Sequence, residues 1–584
     1  MDTHVPAPSS DRGRADARWI RGAAIASGLL FLIRSVLFLY RSHPQDDAYI
    51  LFGYVRRFVA GEGIVFYPGG PHAEGATDFL WFAALSLLHR LGLDIALSAC
   101  LLNAAAGALL GGLLAGAIAR SSASTTHRVL LLGLLAPAAL AGGAIAAAIG
   151  FGSLFFSAAA AWALVLAVEA IEGGARAESA ILAIPYVGLL LALIRPDGVV
   201  LGAAFVLVGA VSARRESCTR PFARRVLLVA ALGAAYFAWR WSYFGLPLPL
   251  PLYVKGHAAR ESSGTAMLAG AGSVGGWFLH PSGGWPLLLA LVLVLAIGGG
   301  ENRGPRLSTL GIAAAPFLAH LAVLSFARQS QNAALRFEAP AQTALLCLLA
   351  IGAVRAMEIR GSSAMRCLVA VLALAGGAVG VVAGVKMLAT YERLRTYVDV
   401  FGPRLGAILE PGDRVALGDQ AGRIPYWTSA RMFDLVGLNT ERTALAPPDG
   451  AYLASLDPDV FLLYTGANTF DLPAMSGDVV PLRVEDLSKS VRPEFRRMYE
   501  HGIAEYGSTS IPDNACNVIA AKFLADSDRY DLYAVKYMDS YKHVYALKRG
   551  FPRAPEILDA LRASAKPEAY RSYAQVVGLP FAGT

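Results

Sequence analysis

The chain has 584 residues, of which 55% belong to the set AVILMFWYC and only 16% are charged, against about one quarter charged in an average soluble domain; a single soluble domain is excluded. Fifty-one Lys and Arg against 43 Asp and Glu leave a net charge of +8, but the excess is spread through short loops and forms no basic stripe interleaved with aromatics, which argues against nucleic-acid binding. The cysteines, Cys100, Cys218, Cys347, Cys367 and Cys516, are odd in number and lack CxxC spacing, so they make neither a zinc site nor a disulfide scaffold.

A membrane span needs about 20 mostly apolar residues. Eleven candidates lie near residues 19–40, 95–119, 129–149, 153–171, 179–194, 198–212, 226–243, 284–299, 308–326, 340–354 and 367–388. Residues 1–18 form a polar, Arg-bearing tail, and the first span is too long for a cleaved signal and lacks an Ala-x-Ala end, so it reads as a retained anchor. Phe79 to Leu93 is apolar but short, and it carries His89 and Arg90. Read as a half-buried helix, it leaves the Arg-rich loops 120–128, 213–225, 301–306 and 355–366 on the cytoplasmic side with the N-terminus; as a twelfth span it would turn all four outward against the positive-inside pattern. The expected architecture is therefore a multispanning α-helical membrane protein with about 11 transmembrane helices in residues 19–388. From about 389 the composition becomes polar and mixed, with strand-like runs Arg414–Gly418, Phe433–Val436 and Val460–Tyr464. Residues 389–584 are thus expected to form a C-terminal α/β domain on the external, periplasmic face of a bacterial cytoplasmic membrane.

In that topology the polar residues collect on the external face. The first external loop carries Asp46-Asp47 directly after a span, then a helical stretch, then Glu74-Gly-Ala-Thr77-Asp78. Adjacent carboxylates at a low-dielectric boundary suit a general base or recruit a cation; they suit an N-cap for the helix 48–60 equally well. The turn Arg195-Pro-Asp197-Gly198 can bind an anion through Arg195, pair Arg195 with Asp197, or simply turn tightly. Tyr253-Val-Lys255 contains the only lysine in the first 385 residues; a compact ammonium is a phosphate partner or a snorkelling interfacial residue. Arg328-Gln-Ser-Gln-Asn332 and Arg336-Phe337 complete the external set, with headgroup anchoring as the plainer role for Arg336. The spans are nearly free of acids, with Arg34 inside one and Glu169 near an end, which disfavours an ion-coupled transporter.

Taken in order, Asp46 to Arg56 (D-D-A-Y-I-x-F-x-Y-x-R), Ala60 to Gly69 (A-x-G-x-G-I-V-F-x-P-G), Glu74 to Thr77, Arg195 to Gly198, Pro249 to Lys255, Arg336 to Pro340 and Gly418 to Asn439 (G-D-x-A-G-x-I-P-Y…D-L-V-G-L-N) resemble the bacterial GT-C glycosyltransferases. Within them the chain is most similar to the mycobacterial terminal beta-1,2-arabinofuranosyltransferase family. The resemblance implies a transferase that moves a sugar, with arabinofuranose as the lead, from a polyprenyl-phosphate donor to a cell-envelope glycan or glycolipid acceptor outside the cytoplasm. It implies an inverting displacement with Asp46 and Asp47 sharing base and positioning roles. Glu74, Thr77, Arg195, Asp197, Tyr253, Lys255 and Arg336 would bind the donor phosphate or substrate. A divalent cation such as magnesium, calcium or manganese is compatible with it, although no ligand set is legible. Two stretches depart from the family pattern: Gly150-Phe-Gly-Ser153 lacks an acid found in relatives, and Pro249-Leu-Pro251 stands where Pro-Asn-Thr is common. The alternative functions are a lipid-linked glycan carrier, or an O-antigen ligase type of enzyme with a diphosphate-linked donor.

Overall fold

The computed structural model describes residues 10–119, 143–261, 271–272, 274–277, 279, 288–289, 291–293, 307–326, 332–359, 371, 375, 382, 385–386, 388–393, 395–466, 469–502, 512–538 and 541–580. The helices of the first part are α1 (Ser10–Leu39), α2 (Asp46–Val59), α3 (Phe79–Arg90), α4 (Ile95–Ala119), α5 (Gly143–Ala148), α6 (Ser153–Glu172), α7 (Ala177–Ile194), α8 (Gly198–Arg215), α9 (Thr219–Phe244), α10 (Leu250–Glu261), α11 (Leu307–Phe326) and α12 (Ala339–Ile359). Six of them, α1, α4, α6, α7, α8 and α9, are long and apolar enough to cross a membrane, and each coincides with an expected span. The expected spans 308–326 and 340–354 fall on α11 and α12. Most of the spans expected at 284–299, 367–388 and 129–149 lies outside the described residues, as do Arg328 and the greater part of the Arg-rich loops 120–128, 301–306 and 355–366. The chain is an integral, multispanning α-helical membrane protein.

Small residues let the spans approach closely, as is usual where apolar burial alone does not drive helix association. A Cβ on Gly107 of α4 would stand 2.1 Å from the ring of Phe31 in α1, and one on Gly202 of α8 would stand 2.4 Å from the Gly188 carbonyl oxygen of α7. The short α3 buries Trp81, Phe82, Leu85 and Ser86 and leaves Leu87 exposed.

The C-terminal domain is α/β. Its elements include α13 (Val398–Ile408), β1 (Arg414–Leu417), α14 (Arg423–Trp427), β2 (Arg431–Asp434), β3 (Val460–Gly466), β4 (Val479–Leu482), α15 (Pro512–Ala525), β5 (Tyr530–Met538), β6 (Tyr541–Lys548) and α16 (Ala554–Ala565). The strands form one mixed sheet in the order β2-β1-β3-β6-β5-β4, with β1 parallel to β2 and β3 and the remaining pairs antiparallel. The strand expected at 433–436 begins two residues earlier and stops at Asp434, because the side chain of Asp434 turns the chain there.

The domain shares a core with the loop between α1 and α4. Tyr49, Phe52 and Tyr54 of α2 are buried in one cluster with Tyr397, Phe401, Leu417, Ile424 and Tyr545 of the domain. Residues Ala48 to Val55 are buried in succession, so α2 has no solvent face in its middle and must be enclosed by other elements. Its polar ends do the docking. The Asp46 carboxylate accepts from the backbone N–H groups of Gly422 (3.2 Å) and Arg423 (2.7 Å) at the start of α14. Arg56 Nη1 and Arg57 Nη2 donate to the carbonyls of Tyr426 (2.7 Å) and Pro425 (2.5 Å) near its end. Side chains of α2 therefore satisfy free backbone groups at both ends of α14. A Cβ on Gly422 would stand 1.9 Å from the Asp46 carbonyl oxygen, so the contact is closed to any other residue type.

Candidate active site

Asp46 and Asp47 follow one another but sit in different surroundings. About 100° separates successive side chains on a helix, so when Asp46 turns to the C-terminal domain Asp47 turns away from it. Asp47 lines a cavity of about 160 Å³ together with Thr77, Asp78, Trp81, Arg195, Lys255, Arg336, Phe337, Val436 and Leu438. The neighbouring Gln45 is the N-cap residue of α2 and both aspartates lie in its first turn, where they favour the helix dipole. Asp46 caps α14 rather than its own helix.

The cations of the cavity gather on one ring. Arg195 Cζ and Lys255 Nζ each lie 5.0 Å from the centre of Phe337, and Arg336 Cζ lies 5.1 Å from it. The aromatic face lessens the mutual repulsion of three positive groups, and two of them also have carboxylate partners. Arg195 donates to Asp197 at 2.9 and 3.4 Å, and Asp197 accepts in addition from, or pairs with, His320 Nε2 at 2.9 Å. Arg336 Nη2 donates to Asp47 Oδ2 at 2.6 Å. The Lys255 ammonium makes no hydrogen bond or ion pair with the described residues. Burial, and next to it the charge of Arg336, lowers its pKa; an ammonium in that position is stabilised by an arriving anion.

Local structure fixes these groups. Asn332 ties the loop that presents Arg336 and Phe337: its Nδ2 donates to Glu338 (2.6 Å) and its Oδ1 accepts from the Phe337 N–H (3.3 Å). Arg195 and Asp197 occupy the turn between α7 and α8, where Arg195 is 8% exposed and packs on Phe156 as well as Phe337. The sequence allowed Arg195 either an anion or Asp197; it pairs with Asp197 and still lines the cavity.

Four of the expected site residues stand outside the cavity lining. Glu74 is buried against Arg240 of α9, with Nε to carboxylate at 2.7 Å, and Arg240 also donates to the Pro247 carbonyl at 2.7 Å. Asp197 is held behind Arg195. Tyr253 packs on an apolar cluster of Ala73, Leu250, Val254 and Ala444, two residues before Lys255 on the same helix and hence on another face. Asp46 stands behind Asp47, and burial pushes its carboxyl up to about 7.

Other cavity groups escaped the sequence. The Asp78 carboxylate lines the cavity and accepts from the Thr77 hydroxyl at 3.1 Å; burial raises its pKa, against the charge of Arg195. Its signal was the Glu74-Gly-Ala-Thr77-Asp78 run itself. His320 and Arg240 lie in apolar helices, where an ionisable side chain calls for a partner; the partners they meet are Asp197 and Glu74. Val436 and Leu438 come from the Asp434–Asn439 motif.

The described residues hold no group of three or more His, Cys, Asp or Glu placed for a metal ion, and Asp47, the carboxylate best placed for one, is engaged by Arg336. The described residues thus present no cluster of three protein ligands for a divalent cation.

Residues 390–533, within the C-terminal domain, match the family model of a domain of unknown function, DUF8728. No curated protein matches the chain. Among solved structures the chain is similar to ArnT from Cupriavidus metallidurans bound to undecaprenyl phosphate, at 14% identity and a TM-score of 0.48, over 75% of this chain and 93% of that one.

Proposed function

We propose that the chain is a GT-C type glycosyltransferase that moves a sugar from a polyprenyl-phosphate donor to a glycan or glycolipid of the cell envelope, on the external face of a bacterial cytoplasmic membrane. The observation that carries this reading is the gathering of Arg195, Lys255 and Arg336 on Phe337, in a cavity that Asp47 also lines. Such a cluster fits a lipid-borne phosphate, and the carboxylate beside it fits deprotonation of a hydroxyl. The ordered motifs of the sequence support the same family, and arabinofuranose remains the lead for the sugar.

In this mechanism the acceptor hydroxyl gives its proton to Asp47 as its oxygen attacks the anomeric carbon. The bond from that carbon to the phosphate oxygen breaks, and the electron pair leaves with the polyprenyl phosphate, whose charge the cations stabilise. A single displacement inverts the anomeric configuration. An anionic donor competes with Asp47 for Arg336, so its arrival releases the carboxylate to act as base. Lys255 meets the phosphate as a point charge, while Arg195, braced by Asp197 and His320, holds a fixed position. Asp46 positions its neighbour by anchoring the first turn of α2 to α14.

The test is transfer of labelled sugar by the purified full-length protein from a panel of polyprenyl-phosphate donors carrying arabinofuranose, mannose, glucose or aminoarabinose. Transfer from one donor is expected. Donor lipid that binds but never yields product would favour a carrier, and turnover confined to a diphosphate-linked donor would favour a ligase.

A further inference from the structure

The Asp434-Leu-Val-Gly-Leu-Asn439 segment lies inside the residues that match a domain of unknown function, yet two of its side chains, Val436 and Leu438, line the cavity of the membrane part. The segment is tightly built. At the end of β2 the fully buried Asp434 carboxylate accepts from the N–H groups of Val436 (3.0 Å), Gly437 (3.3 Å) and Asn439 (2.9 Å) and from Asn439 Nδ2 (2.9 Å). A carboxylate that collects the following backbone donors closes the chain into a compact loop. Gly437 takes φ +96°, and a Cβ there would stand 2.6 Å from the Ala444 nitrogen. The Thr443 hydroxyl donates to the Asp434 carbonyl at 2.6 Å and secures the base of the loop.

This loop touches both sides of the site. Asn439 Oδ1 accepts from the Tyr54 hydroxyl of α2 at 3.1 Å, and that hydroxyl accepts from the Gly75 N–H at 3.3 Å, two residues before Thr77. The fit is close enough that a Cβ on Gly75 would stand 2.0 Å from Asn439 Oδ1. In the other direction Val436 and Leu438 pack beside Leu250 and Val254 of α10, the helix that carries Lys255. The loop thus bridges the carboxylate-bearing first loop and the lysine-bearing helix, beside the direct bond from the Leu250 N–H to the Glu74 carbonyl at 3.2 Å.

We propose that Asp434–Asn439 is the contribution of the C-terminal domain to the site: Val436 and Leu438 are specificity residues that contact the donated sugar, and Asp434 with Asn439 are positioning residues that set the spacing between the first loop and Lys255. The prenyl chain of a donor must return to the membrane, past the helix ends that bear Ser153 and Arg195, so the opposite wall, built by the external domain, faces the sugar. An apolar wall there excludes water and limits the size of the transferred group. The identity of the ligand rests on the polyprenyl-phosphate reading; the clamp between the loop, Tyr54 and α10 does not.

The experiment uses the full-length chain in detergent, with size exclusion and thermal melting as folding controls. Hydrogen exchange of peptides covering 46–59, 72–79 and 250–261 is compared for wild type and Asp434→Asn, and donor transfer for wild type and Leu438→Ala. Asp434→Asn is expected to speed exchange at least tenfold in 72–79 and 250–261. Leu438→Ala is expected to keep wild-type exchange, to raise KM for the accepted donor about fivefold with a smaller change in kcat, and to admit a bulkier sugar from the panel. Should Asp434→Asn not fold, Asn439→Ala, which removes the Tyr54 contact, carries the same exchange test. Unchanged exchange in a folded variant overturns the positioning role, and an unchanged KM and donor range overturn the wall. If wild type transfers from no donor, the polyprenyl-phosphate reading has failed, and the exchange data still decide the clamp.

Discussion

The loop between α1 and α4 has two faces that obey different physics. The face toward the C-terminal domain is a closed interior: Asp46 is held by two backbone N–H groups, Tyr54 reaches Asn439, and the arginines of α2 cap α14. The face toward the cavity is unfinished. Asp47, Thr77 and Asp78 border a space in which three cations share one aromatic ring and one of them, Lys255, has no carboxylate among the described residues. A chain that satisfies one face so fully and leaves charge uncompensated on the other has kept the second for a ligand. Residues of the first face should therefore carry stability, and residues of the second should carry binding and turnover.

The largest expected effect tests whether Glu74 belongs with the structural residues. Removing one member of a buried ion pair leaves the other charge uncompensated, at a cost of about 3–5 kcal/mol. Glu74→Gln, opposite the buried Arg240, should lower the melting temperature sharply; a stable variant with weakened donor binding would instead return Glu74 to the substrate. Lys255→Met is the mirror case. It should leave melting unchanged or raise it, and weaken undecaprenyl phosphate binding by about ten- to a hundredfold, the worth of one charge-assisted contact. A loss of stability without loss of binding would break the division.

Gly75→Ala probes the seam between the faces, because its Cβ would press on Asn439 Oδ1. Overpacking of this kind costs about 1–3 kcal/mol, visible as a lower melting temperature. The smallest effect is a pH dependence. Burial pushes Asp46 from 3.8 to about 7, so between those values the folded chain holds a proton there that the unfolded chain has released. That contribution to stability is fully present below pH 4 and is lost as pH rises through 7. Melting of wild type between pH 5 and 8 should fall more steeply than melting of Asp46→Asn; parallel slopes would show that Asp46 does not titrate in that range.

Much of this was legible in the sequence, because a charged side chain stands out in a chain so apolar. The loops that carry Asp47, Thr77, Arg195, Lys255 and Arg336 were located from their place beside the spans, and all five residues line the cavity. What the sequence did not resolve was direction. The middle of α2, Ala48 to Val55, carries no charge, so the sequence does not say which of Asp46 and Asp47 faces the cavity; the partner helix α14, more than 360 residues later, decides it. Tyr253 and Lys255 read as one motif but lie two positions apart on a helix, about 200° around the axis, which separates an apolar contact from a cavity cation. Glu74 meets Arg240, and Asp197 meets His320 beside Arg195; Arg240 and His320 lie far off in the sequence inside apolar helices, so the sequence did not show these pairings.

The most direct measurement compares Asp46→Asn with Asp47→Asn in the full-length protein, recording undecaprenyl phosphate binding, melting temperature and sugar transfer for each. The expected result is a folded, donor-binding Asp47→Asn whose transfer falls by about 10²- to 10⁴-fold, the range of a general base, beside an Asp46→Asn that retains measurable turnover. Loss of transfer in a stable Asp46→Asn, with Asp47→Asn still active, would contradict the assignment of the base to the cavity face.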